Sequence, residues 1–144
     1  MLLMLTASSL RAAELDTVEI RLASDTKNAF TARQGKQVEM SPKHATEFVI
    51  TPGLANPGLV SLQLKSNKKF YIRHEGFVLF LHEFQKGKPL YDADASFKLL
   101  NTADGKLRFE ASNYPGRFIT VNASGTISVV ANSPLEQSTF ILKK

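Results

Sequence analysis

The chain has 144 residues, 18 Lys and Arg against 13 Asp and Glu, a formal net charge of +5, and neither Cys nor Trp. That length suits one domain with a real core, and a hydrophobic content of 43% excludes a disordered chain. The missing Cys excludes disulfides, thiolate zinc sites and Cys nucleophiles. The positive balance favours acidic partners, but the Lys and Arg residues are scattered and form no nucleic-acid stripe, so no nucleic-acid partner is expected.

In chain order, Met1 to Leu10 is apolar or small and runs into Arg11-Ala12-Ala13. It is too short to span a bilayer. It reads as a secretory signal over residues 1–13, cleaved near Ala12 or Ala13, and as a truncated one because the usual basic opening is missing. A disordered or weakly helical tail is the alternative. The signal implies a secreted or periplasmic protein, free of the membrane once the segment is removed. The folded domain is expected over residues 17–144, as a monomer.

Beyond that point the chain reads as short strands. Val18, Ile20 and Leu22 alternate with Glu19 and Arg21, the period of a half-buried strand. Phe48-Val49-Ile50 is β-branched and aromatic, and Leu59 to Leu64 alternates again. Phe77 to Leu81 is an apolar run, and Leu107, Phe109 and Ala111 alternate with Arg108 and Glu110. Phe118 to Val121 and Thr126 to Val130 flank the hairpin signal Asn122-Ala123-Ser124-Gly125. Thr51-Pro52-Gly53, Asn56-Pro57-Gly58, Ala103-Asp104-Gly105 and Asn132-Ser133-Pro134 mark further turns. No stretch sustains a helical period, although Pro42 to Thr46 offers one short turn.

The chain also repeats. Ser66-Asn67-Lys68-Lys69-Phe70-Tyr71-Ile72-Arg73-His74, followed by Asp94-Ala95-Ser96-Phe97, has a weaker copy in Ser112-Asn113-Tyr114-Pro115-Gly116-Arg117-Phe118-Ile119, followed by Gln137-Ser138-Thr139-Phe140. Tyr71 aligns with Phe118 at an offset of 118 − 71 = 47, whereas the Ser-Asn pairs align one residue out of that register. Phe30 aligns with Tyr71 at 71 − 30 = 41, Gly35 with Gly76, and Phe48 with Phe97 and Phe140. Three units of about 40 residues dictate architecture. About twelve strands in three units predict an all-β fold, a β-trefoil with three pseudo-repeats of about 40 residues; closure leaves no sheet edge exposed. A β-sandwich is the alternative, but it gives no reason for a threefold repeat.

These motifs resemble the arabinose-binding module of α-L-arabinofuranosidases, over roughly residues 17–144 and best in the second and third units. The resemblance implies a β-trefoil carbohydrate-binding domain whose small pockets, one per functional unit, take terminal arabinofuranose side chains. It also implies that the motif His and Asp, helped by an aromatic, form each pocket. Carried over, these are His74 and Asp94, with Tyr71 and Arg73 in the same motif. In the third unit Val121 and Gln137 stand in the His and Asp positions; in the first, Arg33 and Ala45. One pocket, in the second unit, is therefore expected.

The chemistry of the three residue types agrees. A carboxylate accepts from two hydroxyls in charge-assisted bonds, a neutral imidazole both donates and accepts, and an aromatic face covers the C–H side of a sugar ring. The bland alternative makes Arg73 and Asp94 a surface ion pair of little worth and His74 a turn residue. Asp92, two residues before Asp94, suggests neither catalysis nor a hard-cation site, because no third ligand is evident. His82-Glu83 lacks the second His of a zinc helix, and no Ser lies in a nucleophile elbow.

The reading is a non-catalytic module that needs no cofactor and no metal, with an oligo- or polysaccharide such as arabinan or arabinoxylan as partner. The alternatives are a trefoil that binds protein through the loops Thr51 to Gly58 or Gln85 to Tyr91, and a structural trefoil that has lost binding. His74 and Asp94 converging on an open pocket favours sugar binding; burial of both in ion pairs favours the structural alternative.

Overall fold

The computed structural model describes residues 17–144; the expected signal segment lies outside the described residues. The fold is all-β. Among the described residues there are twelve strands: β1 (Thr17–Leu22), β2 (Asp25–Thr31), β3 (Glu39–Ser41), β4 (Glu47–Pro52), β5 (Val60–Leu64), β6 (Phe70–Glu75), β7 (Val78–Glu83), β8 (Phe97–Asn101), β9 (Leu107–Ala111), β10 (Arg117–Val121), β11 (Ile127–Ala131) and β12 (Phe140–Lys143). Two short helices interrupt them, α1 (Pro89–Asp94) and α2 (Leu135–Ser138).

Every pairing is antiparallel. β1, β4, β5, β8, β9 and β12 pair in a ring that closes on itself, so these strands leave no free edge. The hairpins β2–β3, β6–β7 and β10–β11 grow from it, each through its first strand onto β1, β5 or β9. The hairpins then meet one another through Gln37↔Phe80, Glu39↔Thr126 and Ser128↔Val78.

The units match bond for bond. Lys65 N donates to Glu47 O, Ser112 N to Ser96 O and Ala23 N to Thr139 O, each just ahead of Phe48, Phe97 or Phe140. Gln63↔Tyr71 corresponds to Glu110↔Phe118 and Arg21↔Ala29. The 47-residue offset thus holds without a slip: Ser112 matches Lys65, and Asn113 matches Ser66. The one-residue slip expected between the Ser-Asn pairs is corrected here, because strand hydrogen bonding, not residue identity, fixes register. In the first unit Ala29, not Phe30, matches Tyr71, an offset of 71 − 29 = 42.

The core repeats likewise. Ile20, Leu62 and Phe109 are fully buried, as are Phe30, Ile72 and Ile119, then Val38, Leu79 and Ile127, then Phe48, Phe97 and Phe140. The alternating positions of each strand therefore put one side chain per unit into each layer. Two details differ from expectation. Pro42 to Thr46 forms no helix; the Ser41 hydroxyl accepts from Lys43 N and His44 N, which makes a side-chain-capped bend. The helix forms instead at Pro89, where Pro sits in the first turn, its favoured place.

Candidate functional site

β6 presents Tyr71 and Arg73 on one face and Ile72 and His74 on the other. α1 brings a carboxylate up against this strand. Ala95 N returns to Tyr91 O and Ser96 N to Ala93 O, ending the helix at Asp94. Ser96 Oγ, just past the helix, donates to Asp92 O, and Ser61 Oγ on β5 donates to Ala95 O, so the helix end is pinned from both its own exit and a neighbouring strand. Asp94 is therefore the last residue of a helix rather than a loop residue.

Arg73 Nη2 donates to Asp94 Oδ2 at 2.8 Å, and Asn113 Nδ2 donates to Asp94 Oδ1 at 2.8 Å. His74 Nε2 lies 2.9 Å from Asn113 Oδ1. The proton positions follow from chemistry. An ionised carboxylate only accepts, so the Asn113 amide must donate to it; the amide oxygen must then accept, and His74 donates from Nε2. His74, Asp94 and Arg73 are 3%, 5% and 6% exposed, so this network is largely shielded from water. Each Asp94 oxygen has one of these bonds, which uses two of its roughly four acceptor sites.

Aromatic rings flank the network. Tyr114, next to Asn113, is exposed and meets His74 edge-on at 5.6 Å and Phe77 at 5.0 Å. The Arg117 guanidinium stacks on Phe77 at 3.9 Å. Gly76 and Phe77 form the two-residue β6–β7 turn with φ of 56° and 67°. Two positive φ values suit the twist of a hairpin, but a bulky residue rarely adopts one. Phe77 is held there by its ring contacts and by its carbonyl, which accepts from Val129 N. Strain over-determined in this way clusters at functional sites.

Tyr71 is not brought to His74 and Asp94. Its hydroxyl accepts from Gln63 Nε2, and its ring meets Phe84 edge-on. On that side Arg73 stacks on buried Tyr91, whose hydroxyl donates to His82 O. Burial is the main cause pushing the Tyr91 phenol up, and burial followed by the Arg73 charge pulls His82 down, with Glu75 opposing. Among the described residues, no group of three or more His, Cys, Asp or Glu could hold a metal ion.

The residues that sequence reasoning missed are Asn113, Tyr114 and Phe77. The first two lie in the third unit's motif, which reads as a degenerate copy; in space that motif walls the second unit's site. In the third unit Val121 is nearly buried at the His74 position, and Gln137 lies in α2. In the first unit the strand register puts Ala32, not Arg33, at the His74 position, since Phe30 and Ile72 fill the same core layer.

Residues 10–140 match the family model of the alpha-L-arabinofuranosidase B (ABFB) domain. The chain belongs to this family. The domain is the carbohydrate-binding module of arabinofuranosidases. A curated relative, alpha-L-arabinofuranosidase 43 of Humicola insolens, is 32% identical over 108 residues, which cover 68% of this chain and 22% of the relative. The chain thus spans less than a quarter of that protein. An arabinofuranosidase solved in complex with arabinofuranosyl-alpha-1,2-xylobiose is 18% identical with a TM-score of 0.78, over 90% of this chain and 31% of that one. A designed three-fold symmetric protein, ThreeFoil, is 10% identical with a TM-score of 0.69, over 89% of this chain and 98% of that one. At these identities the ABFB domain shares a fold with the two solved structures. No helix among its described residues is long and apolar enough to cross a membrane.

Proposed function

We propose that this ABFB domain is a non-catalytic β-trefoil module that binds terminal arabinofuranose-type side chains of a plant-type polysaccharide at its second unit. The observation that carries the reading is the convergence of Asp94, His74 and Asn113 beside the exposed Tyr114 ring. Tyr114 takes the stacking role expected of Tyr71, covering the C–H face of the sugar while hydroxyls bond to Asp94. Arg73 holds Asp94 in place from the opposite side. The threefold match of strands and the likeness to ThreeFoil support the trefoil assignment. The family match supports the sugar class, and the 22% span of the curated relative supports a binding part rather than a catalytic one. The domain acts as a secreted or periplasmic monomer after loss of its signal segment, so mass spectrometry of exported protein should find a start between about Ala12 and Thr17.

The test is affinity electrophoresis on arabinan and arabinoxylan. Wild type should be retarded, Tyr114→Ala and Asp94→Asn should not, and Gln137→Ala should behave as wild type. A second reading has its own support: burial of His74, Arg73 and Asp94 in mutual bonds suits a purely structural clasp between the second and third units. That reading holds if neither polysaccharide retards wild type. The protein-binding alternative loses one of its loops. Leu54 N donates to Ser61 Oγ and Ala55 N to Ser96 Oγ, so Thr51 to Gly58 is strapped to the body.

A further inference from the structure

The first unit holds an open counterpart of the second unit's site. Ala32 stands at the His74 position, Ala45 at the Asp94 position and Ser66 at the Asn113 position. Three large polar side chains are replaced by three small ones. The space they vacate is a cavity of about 690 Å³ lined by Ala32, Ala45, Leu64, Arg33, Lys65 and Ser66, among others. That volume is within the range of small-ligand sites, about 300–1,000 Å³.

Its chemistry is the reverse of the second unit's. There the protein supplies a carboxylate, Asp94, and pairs it with Arg73. Here Thr31 stands at the Arg73 position, and the Asp94 carboxylate has no counterpart. Among the described residues, the Arg33 guanidinium, the Ser66 hydroxyl and the Gln34 amide at the rim have no hydrogen bond or ion pair. Lys65 has only a loose, half-exposed pairing with Glu47, at 4.0 Å. Glu47 is the one carboxylate in the lining, against two cations. The floor, Ala32, Ala45 and Leu64, is apolar, and the Thr46 hydroxyl is already bonded to Ala32.

We infer that this cavity binds a carboxylate-bearing sugar, a uronic acid residue, with Arg33 taking the carboxylate. The ring's C–H face rests on the alanine floor, and the ligand brings the negative charge that the protein supplies for itself in the second unit. Arg is suited to the task because its planar fork meets a carboxylate with two parallel bonds. The inference rests on the carbohydrate-binding reading of the domain but not on the second unit's site.

The experiment is an NMR titration of the full chain with D-glucuronate, D-glucose and acetate as separate probes. Glucuronate should move the amides of Ala32 to Gln34, Ala45 to Glu47 and Leu64 to Ser66, and its affinity should fall with added salt. D-Glucose lacks only the carboxylate and acetate lacks only the ring, so both should bind at least about tenfold more weakly, and Arg33→Gln should cost about the same factor. Ala45→Leu, which fills the cavity, should abolish the shifts. The inference is overturned if glucose or acetate matches glucuronate, if Arg33→Gln changes nothing, or if no probe moves these amides. Methyl arabinofuranoside, followed at His74, Asp94 and Asn113, reads the second unit's site separately, so either reading can fail while the other stands.

Discussion

Asp94 sets the limits on what a binding test can remove. It is 5% exposed and bonded to Arg73 and Asn113, so deleting its carboxylate leaves the buried guanidinium only a long 3.5 Å pairing with exposed Glu75, its Nε having no partner among the described residues. Breaking such a pair from one side costs about 3–5 kcal/mol, and Asp94→Ala should show that loss in urea denaturation. Asp94→Asn keeps the shape and one acceptor and should lose much less. Equal losses for the two variants would mean that shape rather than charge holds the network. His82 reports on the other side of Arg73. Its pKa in the fold lies below the ordinary 6.5, first through burial and then through the Arg73 charge. The unfolded chain therefore takes up this proton first as pH falls. The stability contribution is present above about pH 6.5 and is lost as pH drops through the folded value. His82→Gln should flatten the difference between urea midpoints at about pH 7.5 and about pH 5.5; an unchanged difference would remove His82 as its source.

At the scale of elements, strands were legible and the site was only half so. The period of two in β1, β5 and β9 is local, and local patterning is what a sequence displays. The six-residue α1 is too short to develop a helical period, so the helix that carries Asp94 left no sign in the sequence. His74 and Asp94 were found because both lie in one unit. Asn113 and Tyr114 were not, because the site spans two units and a repeat alignment compares units without placing them side by side. Phe77 was hidden by its own strain, since nothing in an apolar run announces a positive φ. Phe77→Gly tests the price of that strain. Glycine removes a cost of about 1–3 kcal/mol, while losing the ring removes its stacking with Arg117 and Tyr114. Phe77 also packs against the core, so stability should fall, but by clearly less than the about 3–5 kcal/mol of truncating a fully buried Phe, while retardation on arabinan should be lost with the platform under Tyr114. A large stability loss with binding retained would make Phe77 a packing residue only.

At the scale of the molecule, the repeat was legible because core layers recur in the sequence as single hydrophobic positions, and the aligned Phe48, Phe97 and Phe140 are each fully buried. What the sequence hid was the exact register, which inter-strand hydrogen bonds fix and identities such as Ser-Asn obscure. The threefold match predicts similar costs at similar places, and its departures predict where the costs differ. Truncating any one of the three Phe residues to Ala should cost about 3–5 kcal/mol. Phe140 has two ring neighbours, Phe30 at 5.4 Å and Phe109 at 6.0 Å, whereas Phe48 and Phe97 have none among the described residues. Aromatic pairs add about 0.5–1.5 kcal/mol each beyond burial. Phe140→Ala should therefore be the most damaging of the three, by about 1–2 kcal/mol. The unit it anchors also joins the chain's last strand to its first, through Leu22↔Phe140, so the loss should open the β1–β12 seam before the other two seams. Hydrogen exchange across β1 and β12 in Phe140→Ala, compared with β4–β5 and β8–β9, measures this directly. Uniform loosening around the ring, or a smaller loss than Phe48→Ala, would show that the closed ring shares the damage and that the extra aromatic contacts carry no stability of their own.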